Sequence, residues 1–185
     1  MGTTATPATV SHTKEQILPA KLEGTWLKFF PGDQIPRPFV LAEPMDSLNF
    51  QMEGHDLHAI EVGHSDTNDT TILHVPSIHL VVAGDVVYGD VHQFFVEAEW
   101  LRAIDTIESL KPHMVVAGHK RASTVDGVFN LRSTREYILA FEEATKTTSS
   151  WEEQWERMKT LYPGRINPHA IIAGAVAAFK TDLDK

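Results

Sequence analysis

A layered α/β fold is what the sequence predicts, and three observations carry the prediction. Short apolar, β-branched runs recur between residues 57 and 117; runs with helical spacing follow them; and glycine closes three of the strand-like runs. Strands followed by helices able to cover them define the layered class, and the chain turns helix-rich towards its C-terminus.

Taken in order, Thr6-Pro7 has the form of an N-cap followed by proline at the first helical position, opening a short helix with Val10, Ile17 and Leu18 as its buried stripe. Between Trp26 and Phe50 four prolines (Pro31, Pro36, Pro38, Pro44) break the chain into extended pieces and turns, as in a loop lining a site. From Asp56 the period becomes strand-like. Leu57, Ala59, Ile60 and Val62 form one run, ending at Gly63-His64. Asn68-Asp69 reads as a turn, and Thr70 to Val75 as the returning strand before Pro76. Ile78 to Ala83 is almost wholly apolar and β-branched, which predicts a strand covered on both faces, ending at Gly84-Asp85.

A helix is expected from about Glu97 to Leu110, with Trp100, Leu101, Ile104 and Ile107 at helical spacing and Pro112 beyond its end. Met114 to Ala117 is a short buried strand ending at Gly118-His119. Ser133-x-x-Glu136 and Ser150-x-x-Glu153 are both capping-box patterns, the second opening a helix with Trp151, Trp155, Met158 and Tyr162 on one side. Asn167-Pro168 starts a last helix from Ala170 to about Lys180. No repeat or low-complexity segment interrupts this order, and the expected organisation is one domain over residues 1–185.

Composition narrows the function. A net charge of −9, with no Lys/Arg cluster beyond Lys120-Arg121 and Arg132/Arg135, argues against a nucleic-acid backbone as partner and favours small molecules. The longest apolar run, Ala170 to Phe179, is too short for a bilayer span of roughly 20 residues. The first residues have neither the basic nor the apolar segment of a signal peptide, so the expected location is cytoplasmic. Cysteine is absent, which leaves imidazole and carboxylate as the ligands for any metal.

Three polar residues, His64, Asp85 and His119, each follow a glycine that closes an apolar strand. Strand ends form the rim where ligands sit in an open α/β sheet, and two imidazoles with one carboxylate suit zinc, iron or manganese. The competing reading is that they serve as turn and hydrogen-bond groups. Residue types and spacing alone leave the two readings about even.

The strings Gly63-His64-Ser65-Asp66-Thr67, Val81-Val82-Ala83-Gly84-Asp85-Val86-Val87-Tyr88 and Val115-Val116-Ala117-Gly118-His119 resemble the third, fourth and fifth metal-site motifs of the metallo-β-lactamase superfamily. The resemblance implies a layered αββα fold, incomplete at the N-terminus, and a glyoxalase-type hydrolase with one or two zinc ions. By it, His64 would bind the first metal, His119 the second, and Asp85 would bridge both, making these the catalytic residues. Coordination would lower the pKa of water from 15.7 towards about 7 for attack on an ester, thioester, lactone, lactam or phosphoester. Tyr88 and His92 would orient ligands or face the substrate.

One departure is large. The superfamily's first motif, His-x-His-x-Asp-His, occurs nowhere; His55-Asp56-Leu57-His58 has the wrong spacing and reads as strand and turn. With only three candidate ligands the chain would hold at most one metal, or none, and would not be competent alone. Its sheet would be left with one exposed edge and part of one face open to self-association or to a second chain. The alternative is a non-catalytic, metal-free relative acting as a binding or scaffolding module. An upstream segment carrying the missing motif would separate the two.

Overall fold

The computed structural model describes residues 3–94 and 99–180, with only the backbone of Lys180. The expectation of one domain meets a chain whose contacts divide it into two compact units, Met1–Phe50 and Gln51–Lys185.

In the first unit, a two-residue strand β1 (Thr4–Ala5) pairs in parallel with β2 (Glu43–Pro44). Helix α1 (Pro7–Gln16) begins as its sequence predicts: the Thr6 side chain accepts from the Thr9 amide at 3.3 Å, and Pro7 occupies the first turn, where its missing N–H costs nothing. Of its expected apolar stripe only Val10 is buried. Leu18 is 55% exposed, because the helix ends at Gln16 and the next turn starts at Pro19. The segment from Trp26 is less extended than the prolines predict. A helical turn α2 (Pro19–Lys21) and a π-turn (Leu22–Trp26) lead into it, and the segment itself holds a further turn α3 (Leu27–Phe29) and a 3₁₀ turn (Gly32–Gln34).

The second unit is built on a five-stranded sheet in the order β3 (Asn49–Met52), β4 (His55–Gly63), β5 (Thr70–Val75), β6 (Leu80–Gly84), β7 (Met114–Ala117), with β3 lying across the junction of the units. β4 and β6 both run antiparallel to β5, and β7 runs parallel to β6. The C-terminal ends of β4, β6 and β7 therefore reach the same edge of the sheet.

Paired residues share a face, so the register sorts the side chains. Ile60, Ile72, Val81, Ala83, Val115 and Ala117 lie on one face. Most are wholly buried, against Trp100, Ile104 and Ile107 of α4 (Trp100–Ser109) and Leu131 and Ile138 of α5 (Phe129–Thr147). The expected start of α4 at Glu97 lies outside the described residues. The other face carries Leu73, Val75, Leu80, Val82 and Val116, which are only partly buried. This corrects the expectation for β6: it is fully covered on one face, and it starts at Leu80 because Pro76–Ile78 form a 3₁₀ turn and His79 is left-handed at φ 49°. The edge strand β7 is not bare, since Gly127 N–H donates to the Val115 carbonyl at 3.0 Å and Asp126 accepts from the Ala117 amide at 3.3 Å.

α6 (Trp151–Leu161) and α7 (His169–Lys180) pack on α5 through a second core of Tyr137, Phe141, Met158, Ile171 and Ala175. The two capping boxes part company here. Ser150 caps α6, accepting from the Glu153 amide at 3.3 Å, while the Glu153 carboxylate accepts from the Ser149 amide at 2.8 Å. Ser133 lies inside α5, one turn past its start, and its hydroxyl accepts instead from Arg165 at 2.7 Å.

Candidate functional site

The sheet topology delivers His64, Asp85 and His119 to one rim, each just past its strand end. Gly63 (φ 74°) and Gly84 (φ 52°) take left-handed conformations that a side chain would strain, so the chain turns off β4 and β6 at once. Gly118 serves by close approach instead. A Cβ there would collide with Asp85 Oδ1 and stand 2.6 Å from the Gly84 carbonyl carbon. The Gly118 amide donates to the Gly84 carbonyl at 2.9 Å, which pulls the ends of β6 and β7 together.

That approach brings two of the three predicted residues into contact. His119 Nδ1 donates to Asp85 Oδ1 at 2.7 Å, with both side chains about half exposed. In the neutral ring this places the proton on Nδ1 and leaves the lone pair on Nε2. His64 is held through Nδ1, 2.8 Å from Asn68 Oδ1 in the turn that follows it.

Asp66, two positions past His64, belongs to the same rim and is the residue that reading the sequence for ligands passes over. Its one available signal was a carboxylate in the same Gly-His-Ser-Asp turn. Burial pushes its pKa from 3.8 up to about 6, and the nearby Asp85 charge adds to this; a hydrogen bond from the Tyr88 hydroxyl and the charges of His119 and His64 act against it. Asp66 Oδ1 is buried without a hydrogen-bond partner among the described residues. A buried, orphaned carboxylate oxygen is costly, and it marks a place where a donor or cation would be welcome.

Tyr88 and His92 are both buried, at 2% exposed. Tyr88 stacks on His119, with ring centroids 5.2 Å apart and planes within 13°. Burial, then the Asp66 and Asp85 charges, raise the pKa of its hydroxyl, which keeps it a donor. His92 Nδ1 lies 3.0 Å from the Tyr137 hydroxyl, and burial lowers its pKa to about 4, so the ring is neutral over the physiological range. Asp66, Tyr88, His92 and His119, together with Phe94 and Asn167, line a cavity of about 170 Å³. Asn167, left-handed at φ 61° just before α7, is a second residue that no spacing in the sequence signals.

A catalytic zinc takes three protein donors around one ion. Among the described residues no three His, Asp or Glu side chains are grouped to hold one. As placed, the rim does not fit a metal by itself: the His119–Asp85 contact occupies two of the candidate donors with each other.

Comparison of the fold with solved structures gives its relationship. No family model matches the sequence, and no curated protein matches it. A metallo-β-lactamase family protein of Thermus thermophilus aligns over 94% of this chain and 62% of its own, at 14% identity and a TM-score of 0.57. The metallo-β-lactamase IND-7 aligns over 75% of this chain and 57% of its own, at 15% identity and a TM-score of 0.53. The chain thus has the metallo-β-lactamase fold and spans about three-fifths of the length of these structures.

Proposed function

We propose that this chain carries one rim of a hydrolytic centre for a small acyl substrate, an ester, thioester, lactone or lactam, and that the donors the chain places there leave the centre incomplete, weak in metal affinity and slow. The observation that carries the reading is the arrival of His64, Asp85 and His119 at one sheet edge, on strands that end in two left-handed glycines and one closely packed glycine. The structures that share the fold are metallo-β-lactamase family members, which supports a metal-dependent hydrolase over other uses of such a rim. In this reading Asp85 orients the His119 ring, Tyr88 holds Asp66 and backs His119, and the small cavity excludes bulk water from one side of the rim.

The test is an assay of one substrate from each acyl class, with zinc, manganese or iron(II) added in excess. The expected result is slow, metal-stimulated hydrolysis of at least one substrate, reduced by a factor of about 100 or more in Asp85→Asn. Turnover of none of them, or turnover unchanged by that substitution, contradicts the reading.

The direct His119–Asp85 contact favours a second reading, a metal-free relative that binds without catalysis. The same assay separates the two, since that protein would hydrolyse nothing at any metal concentration.

A further inference from the structure

Beside the rim lies a larger cavity, of about 410 Å³, whose walls include Asp90, Arg121, Ser133, Gly164 and Arg165. Two guanidinium groups meet there. Arg165 is 9% exposed, and carbonyls and a hydroxyl hold it rather than an acid: it donates to Val91 O at 2.8 Å, Ser133 O at 2.9 Å and Ser133 Oγ at 2.7 Å, and stacks 4.5 Å above the Tyr137 ring. Arg121 donates through Nη2 to the Gly164 carbonyl, and its Nε is buried with no hydrogen-bond partner among the described residues.

Neither arginine is in an ion pair among the described residues, whereas Arg132 pairs with Glu136, and Arg135 pairs with Asp105 and Glu108. The carboxylate in the cavity wall is Asp90, which accepts from the Thr124 hydroxyl at 2.7 Å. Its charge offsets one guanidinium and leaves the other. In a chain of net charge −9, an uncompensated cation in a concave site is a local feature and not a general basic surface.

A guanidinium presents a planar fork of N–H donors that matches the oxygens of a carboxylate or phosphate, and its affinity for them rises where water is partly excluded. An orphaned N–H in that fork is what an acceptor ligand would satisfy. We propose that this cavity binds a small-molecule oxyanion, a carboxylate or a phosphate, with Arg121 as its principal donor and Arg165 as the fixed charge behind it. The site adjoins the rim. The Gly89 amide donates to the His119 carbonyl and the Arg121 amide to the Gly89 carbonyl, both at 2.9 Å, so the two segments run together from Tyr88 and His119 to Asp90 and Arg121. The proposal does not rest on the hydrolase reading.

The experiment is calorimetric titration of the full chain with inorganic phosphate and, separately, with acetate, at constant ionic strength. Saturable binding of at least one probe is expected, and the tighter of the two identifies the oxyanion. Arg121→Gln should weaken it by at least about tenfold, the loss of one charge-assisted hydrogen bond or more. Asp90→Asn should tighten it several-fold by removing the opposing charge, and His119→Ala should leave it unchanged. Circular dichroism of each variant confirms that it is folded. Absence of binding by either probe in the unaltered chain overturns the proposal, as does equal binding by a folded Arg121→Gln; loss of binding in His119→Ala would move the anion to the strand rim and overturn it too.

Discussion

Two carboxylates and two imidazoles share the strand-end rim, and Asp66 carries most of the resulting strain. Its proton is held more tightly in the folded state, with a pKa of about 6, than in an unfolded chain, where the value is 3.8. The folded state therefore binds more protons in that window, and stability falls as pH rises through it. Asp66→Asn keeps an acceptor for the Tyr88 hydroxyl and removes the buried charge. It should raise the free energy of unfolding near neutral pH by about 2 kcal/mol, with the gain shrinking below pH 6 and absent by about pH 4. Urea melts of the two proteins across that range check this; equal stability at neutral pH would mean that Asp66 is better solvated than the structure places it.

The same residues show what was legible. His64, Asp85 and His119 could be read because each follows a glycine at the end of an apolar run, a signal written along the chain. Asp66 and Asn167 could not, because their places depend on how a turn and the start of a distant helix fold back on Tyr88 and His92.

At the scale of elements, local chemistry predicted ends well where nothing distant competed. Thr6 and Ser150 cap the helices that their sequences announce. Ser133-x-x-Glu136 has the same pattern, yet α5 begins at Phe129, because Arg165 comes from over thirty residues away to claim the Ser133 hydroxyl and carbonyl. Ser150→Ala should accordingly cost about 1 kcal/mol, the usual worth of a serine N-cap, measured by thermal or urea melts. An unchanged melt would mean that the Glu153 carboxylate on the Ser149 amide holds the helix end alone. The strands from β4 onward were also readable along the chain. Which strands share an edge was not, because that depends on the antiparallel run from β4 to β6 followed by a parallel step to β7.

For the whole molecule, the chain covers about three-fifths of the structures whose fold it shares, and its sheet is unequally dressed. One face is sealed by α4 and α5, while Leu73, Val75, Leu80, Val82 and Val116 on the other are only partly buried. The edge strand β7 is covered by Asp126 and Gly127. Among the described residues no helix is long and apolar enough to cross a membrane.

The central claim is that the strand-end rim belongs to an incomplete metal centre, and elemental analysis of protein purified without chelator tests it most directly, beside His119→Ala. The account predicts a transition metal at less than one ion per chain, and lower again in the variant. No metal above background in the unaltered chain, or the same content in both proteins, would contradict it.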